Sequence, residues 1–326
     1  GGQGQIHSMN SDGSSAVNLS RNAFCDRSPT WSPDGKRIAF ISDRTGDWDI
    51  CVMNADGSGQ RKVAGNAGAD RAPAWSPDGA KIAWESHVSG MPAIWVCDAD
   101  GGKSRPLVAP DGPFTVHRGE TGEDGVFAFV EVGWHFDDNA VYLTDPVWSP
   151  DGKRIAARGL GPHAGFILAV LDADGSQMLE VIGWIGGMDD LVWSPDGSQL
   201  AGTRRAAQET DRSGIFAVRA DGSEDYRWLV DVRPEGPRLG GAIRLGVPTW
   251  YAHGSSQPRR VLKTFGNLTW SPDGKMLAFS SDMGKDGAFC VYTIPAKGGQ
   301  PTRLHATKSA WPNEVKWRPI LPGPNR

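Results

Sequence analysis

Cationic runs are missing from this 326-residue chain, whose 34 basic and 38 acidic residues leave a formal charge of −4. Without a basic patch there is no electrostatic footprint for wrapping nucleic acid or holding an anionic membrane surface, so neither is expected as a partner. No apolar stretch approaches the roughly 20 residues that a membrane-spanning helix needs, so no membrane insertion is expected either. The first residues, Gly1 to Gln5, lack the charged-then-apolar layout of a secretory signal. Cysteine is scarce: Cys25, Cys51, Cys97 and Cys290 show no CxxC or clustered spacing, and three of them lie in apolar strand-like runs. They read as buried thiols, with one disulfide as the alternative. A GxSxG elbow, an HExxH helix and a recognisable Cys-His pairing are absent, which removes several hydrolase classes.

What is abundant is glycine, proline and tryptophan, at 43, 23 and 14 residues, a profile suited to an all-β chain of short strands and many turns. The pentapeptide Trp-Ser-Pro-Asp-Gly occurs at residues 31–35, 75–79, 148–152, 193–197 and 270–274, with a degenerate sixth copy at Trp317-Arg318-Pro319. The copies are spaced 44, 73, 45, 77 and 47 residues apart, so the basic period lies near 45. A period of about 40 to 45 with four strands per unit is the signature of a β-propeller, whereas helical solenoids carry a 3.6-residue periodicity.

Each unit reads as strand A, turn, strand B, loop, strand C, turn, strand D. In Ser32-Pro33-Asp34-Gly35 the proline fixes φ at the second turn position and the glycine tolerates positive φ at the fourth. Two apolar runs follow, residues 36–41 and 50–53, as expected of strands sandwiched between neighbouring sheets. A second turn at Asp56-Gly57 leads to residues 60–63, whose Gln60, Arg61 and Lys62 suit a solvated outer edge. The segment from Ile6 to Gly13 matches Ile50 to Gly57 at an offset of 44, so the chain begins halfway through a unit. It ends on Val315-Lys316-Trp317, an A strand without its partners. Five complete blades plus one composite blade from both termini predict a six-bladed ring in a single domain, residues 1–326, with sheet edges hidden by closure.

The repeated WSPDGKRIAF, the Ser42-Asp43-Arg44 loop and the closing NADGSG at residues 54–59 resemble the WD40-like Pro-Asp propeller repeats of the TolB family. That resemblance implies a periplasmic or secreted location and a role in binding or scaffolding. The same repeats also occur in propellers attached to peptidases and in some polysaccharide lyases, so architecture is specified better than function.

Two spacings exceed the period by about 30 residues, which places insertions at about 109–142 and 231–264, both after strand D. A hairpin from residues 126–130 and 140–143 is expected in the first. Because strands alternate direction, the stereotyped A-B and C-D turns share one face, and the insertions and B-C loops share the other, the expected binding face. Acidic residues just ahead of the inner strands, Asp26, Asp70, Asp145 and Asp189, would converge there. They would hold a hard cation such as Ca2+ or the basic groups of a peptide, or simply solvate the channel mouth. Trp134, His135, Trp250 and His253 fall within the insertions, and His87 and His163 fall in B-C loops, as candidate ligand-binding residues. Asp98-Ala99-Asp100-Gly101 and Asp172-Ala173-Asp174-Gly175 read as turns rather than calcium loops, lacking the remaining ligands. The expected function is a non-catalytic propeller that binds a protein or peptide ligand on the insertion face, with carbohydrate as another possible ligand. The alternative is a polysaccharide lyase or hydrolase using histidines or carboxylates of the same face.

Overall fold

The computed structural model describes residues 4–8, 15–65, 68–88, 92–107, 115–121, 127–133, 142–160, 166–185, 188–204, 213–223, 226–232, 265–283 and 290–306. Every regular element among them is a strand. A short hairpin, β1 (His7–Ser8) with β2 (Val17–Asn18), comes first. A four-stranded antiparallel sheet follows: β3 (Asp26–Trp31), β4 (Arg37–Ser42), β5 (Asp49–Asn54) and β6 (Arg61–Ala64). The next has the same order, with β7 (Asp70–Trp75), β8 (Lys81–Ser86), β9 (Ala93–Asp98) and β10 (Arg105–Pro106).

After a hairpin of β11 (Thr115–Thr121) and β12 (Phe127–Gly133) comes β13 (Tyr142–Trp148), β14 (Arg154–Leu160), β15 (Phe166–Asp172) and β16 (Met178–Ile185). β11 pairs in parallel with β16, which extends this sheet to six strands in the order β12-β11-β16-β15-β14-β13. The hairpin expected from 126–130 and 140–143 is thereby corrected. Residues 126–130 overlap β12, but their partner is 115–121, because Tyr142 and Leu143 already pair with β14. Two further four-stranded sheets follow among the described residues. One is β17 (Met188–Trp193), β18 (Gln199–Arg204), β19 (Ser213–Arg219) and β20 (Arg227–Val232). The other is β21 (Phe265–Trp270), β22 (Met276–Ser281), β23 (Cys290–Pro295) and β24 (Thr302–Ala306).

First strands touch in succession, β3 to β7, β7 to β13, β13 to β17 and β17 to β21, so the sheets are stacked in chain order. The second and third strands of the sheets are covered on both faces. Ile38, Ala39 and Phe40, and likewise Ile82, Ala83 and Trp84, are fully or almost fully buried. Each such large side chain contributes roughly 1.5–3 kcal/mol by leaving water. The four cysteines are free and buried, and burial pushes the Cys51 and Cys97 thiols up to about 11 and about 12.

The repeat motif does two jobs. Within the turn, the Ser hydroxyl donates to the Asp carboxylate at 2.5 to 2.7 Å in all five copies, as in Ser32 to Asp34. The same Asp34 oxygen accepts the Lys36 amide, and Gly35 sits at φ 69°, where only glycine is free of strain. Between sheets, the Trp of three copies reaches backwards. Trp75 Nε1 donates to the Thr30 carbonyl at 3.1 Å, Trp148 to Ala74 at 3.1 Å and Trp193 to Val147 at 2.9 Å. Arg37 and Arg154 lie over the rings of the next sheet's Trp75 and Trp193, at 4.8 and 4.9 Å from the centroids.

Glycines of the second turn also lean on the preceding sheet. Gly57 faces the Leu19 carbonyl, Gly101 faces Val63 and Gly175 faces Leu107. Leu19 therefore stands to β2 as Val63 stands to β6. The opening hairpin occupies the place of a third and fourth strand, and it packs Ile6 and Leu19 against Phe40 and Met53.

Candidate functional site

The first strand of every sheet is interrupted ahead of its Trp. The register with the second strand shifts between Arg27 and Thr30, Arg71 and Ala74, Thr144 and Val147, Met188 and Leu191, and Gly266 and Thr269. In four of the five, the residue three places before the Trp has left-handed backbone: Ser28 (φ 52°), Ala72 (48°), Asp145 (52°) and Asn267 (54°). Non-glycine residues adopt that region at a cost, so the bulge is a held feature of the fold. It separates three adjacent positions with different fates.

Five residues before the Trp lies the seam between sheets. The Asp26 amide donates to the Gly4 carbonyl, Asp70 to Trp48 and Leu143 to Pro92. The side chains there, Asp26, Asp70, Leu143, Met188 and Phe265, are all buried. Asp26 is 2% exposed and is held by Arg44 Nη2 at 3.4 Å and by Asn22 Nδ2 at 2.8 Å. The Ser42-Asp43-Arg44 loop supplies this clamp, since Arg44 also donates to the Ser42 hydroxyl. Asp26 and Asp70 thus occupy seam positions that apolar residues fill in the later sheets, not the exposed positions expected of them.

Four and three residues before the Trp, the side chains emerge. Arg27, Ser28, Arg71, Ala72, Thr144 and Asp145 line a cavity of about 540 Å3 spanning three consecutive sheets. Its wall is completed by Ile41 and Trp48 of the first sheet and Glu85 of the second. Arg27 lies over the Trp48 ring at 5.4 Å from its centroid. Both acids of the wall are engaged. Asp145 pairs with Arg158, whose other arm donates to the Met188 carbonyl, and Glu85 takes Nε2 of His87 at 2.7 Å. Arg27 and Arg71 are exposed, and among the described residues neither has a carboxylate partner.

Asp189 and Asp190 belong to the fourth sheet and do not line this cavity. Asp190 accepts the Leu268 amide at 3.2 Å, and burial pushes its carboxyl above the ordinary carboxylate value. Among the described residues, no three His, Cys, Asp or Glu side chains come together in a way that could hold a metal ion. Trp134, His135, His163, Trp250 and His253 lie outside the described residues. The residues that sequence reasoning missed are Arg27 and Arg71. A signal for them exists in Pro29, Pro73 and Pro146, since proline inside a strand marks a bulge.

Antiparallel sheets stacked in series, stapled to their predecessors by repeat Trp side chains and opening bulges onto one face, have the architecture of a β-propeller. Residues 3–127 match the family model of the TolB beta propeller domain. Among solved structures, the chain is similar to a protein of Agrobacterium tumefaciens assigned as TolB. The identity is 20% over 91% of this chain and 86% of that one, with a TM-score of 0.57. It is also similar to an oligogalacturonate lyase in complex with manganese, at 12% identity over 94% of this chain and 73% of that one, with a TM-score of 0.62. A puromycin hydrolase aligns at 15% identity over 89% of this chain and 40% of that one, with a TM-score of 0.56. At these identities the likeness is one of fold. No curated protein matches the sequence.

Proposed function

We propose that this chain is a non-catalytic binding or scaffolding propeller of the periplasm or the extracellular space. It takes a segment of a partner protein on the face from which the strand D to strand A connections leave. One observation carries this: a cavity of about 540 Å3 opens on that face between three sheets, with aromatic, apolar and charged walls of the kind that bind ligands. By chain order the insertions at 109–142 and 231–264 leave from the same face, so Trp134, His135, Trp250 and His253, with His163, are the expected secondary contacts. At Asp26 the Arg44 guanidinium supplies positive charge that a cation would otherwise bring. The same proposal has six blades, the sixth made from the β1-β2 hairpin and the C-terminal Val315-Lys316-Trp317. Its support is that Leu19 and Gly4 repeat, one period earlier, the contacts of Val63 and Trp48.

The test is a filled cavity. Thr144→Trp places a bulky side chain among Arg27, Arg71 and Asp145, while Lys36→Trp does the same on the opposite, turn-bearing face. Loss of partner crosslinking in the first variant and retention in the second is the expected result. Turnover of an acidic oligosaccharide that Thr144→Trp abolishes would establish the lyase alternative instead.

A further inference from the structure

We propose that the cavity is a carboxylate-binding site for an acidic peptide segment, anchored by Arg27 and Arg71; this rests on the binding function proposed above and specifies its ligand. The charge balance of the wall points to an anion. Asp145 is ion-paired with Arg158, and Glu85 is hydrogen-bonded to Nε2 of His87, so both carboxylates already have partners within the protein. Arg27 and Arg71 are exposed and without a carboxylate partner among the described residues, and with Arg158 behind Asp145 three guanidinium groups face two carboxylates. A guanidinium presents a planar fork of N–H donors that fits a carboxylate with two parallel bonds. Arg27 is already laid over Trp48, so less freedom is lost when it binds.

The placement of the pair narrows the ligand further. At the equivalent position of the five sheets stand Arg27, Arg71, Thr144, Asp189 and Gly266. Positive charge is confined to two neighbours and turns negative by the fourth, so the guest lies to one side, over β3, β7 and β13. A polyuronate, charged at every sugar, would call for cations repeated along its path. A peptide with paired acidic side chains and neutral neighbours fits two cations beside the neutral Ser28, Ala72 and Thr144. The left-handed bulge residues fix this arrangement, because they turn two successive side chains of each strand towards the same cavity.

The experiment uses the full chain and a fluorescent peptide carrying two adjacent glutamates in an otherwise neutral sequence, read by anisotropy. Arg27→Gln and Arg71→Gln should each weaken binding by about 10-fold, the loss expected of one charge-assisted hydrogen-bonded contact. Unchanged thermal midpoints would show both variants folded, and the glutamine version of the peptide should not bind. Unaltered affinity in the double variant, with binding still blocked by Thr144→Trp, would overturn the arginine assignment while leaving the binding face intact. Preference of Arg27 and Arg71 for oligogalacturonate over the peptide would overturn the peptide assignment. If neither probe binds the unaltered chain, the site itself is refuted; conversion of oligogalacturonate to product would refute the binding function.

Discussion

Trp75→Phe removes one N–H from a seam between sheets and tests whether the repeat Trp acts as an inter-sheet staple. Trp75 is 7% exposed, donates from Nε1 to the Thr30 carbonyl at 3.1 Å and lies under the Arg37 guanidinium. Losing that hydrogen bond costs about 1 kcal/mol net, and the carbonyl left without its donor adds about 1–3 kcal/mol if water cannot reach it. The smaller ring leaves a void worth about 1 kcal/mol more. The sum, about 2–5 kcal/mol, is a large part of the stability of an ordinary domain. Trp31 is the internal control: it has the same motif but is 48% exposed, so Trp31→Phe should cost no more than about 0.5 kcal/mol. Urea unfolding followed by circular dichroism reads both variants independently of tryptophan emission. The expected result is a lowered midpoint with unchanged slope for Trp75→Phe and almost no shift for Trp31→Phe. Equal shifts would refute the reasoning, because the motif Trp would then stabilise through its own turn rather than through the preceding sheet.

Three further outcomes follow from the turns. The Ser hydroxyl, and then the backbone amide, hold the carboxyls of Asp34, Asp78, Asp151, Asp196 and Asp273 below their ordinary value, while Arg219 takes Asp221 down to about 2. With folded values below the unfolded ones, this stabilisation is complete above about pH 4 and is lost as pH falls through the folded values. Thermal midpoints should therefore drop steeply towards pH 2, and less steeply in Asp151→Asn; Asp190, raised by burial, works in the opposite sense. Gly35→Ala should cost about 1 kcal/mol, since its left-handed backbone is the only obstacle and nothing lies within 4 Å of the added carbon. Gly175→Ala should cost about 3 kcal/mol or more in the same melting experiment, because its methyl would meet the Leu107 carbonyl oxygen.

The sheets were legible in the sequence because each turn writes its chemistry at fixed offsets. Ser, Asp and Gly of the pentapeptide make the same bonds in all five copies, and the flanking apolar runs become the strands. The site was less legible because it depends on three adjacent residues whose directions are set by a bulge. Only two of the four left-handed residues, Asp145 and Asn267, are of types that tolerate this conformation well, and Ser28 and Ala72 carry no such mark. Counting acids ahead of each Trp therefore mixed seam positions, such as Asp26 and Asp70, with the half-buried, cavity-lining position of Asp145. The partner of β12 was missed because 115–121 is a polar-looking stretch, and 142–143, though more apolar, was already needed by the next sheet.

Two of the inter-sheet devices point the same way along the chain, while Arg37 and Arg154 reach forward to the Gly79 and Gly197 carbonyls. The indoles of Trp75, Trp148 and Trp193 and the turn glycines Gly57, Gly101 and Gly175 all grip backbone made earlier, never later. A growing polypeptide thus meets a ready surface with each new repeat after the sheet of β3 to β6. Growth can proceed like courses of brick, each laid on a finished row.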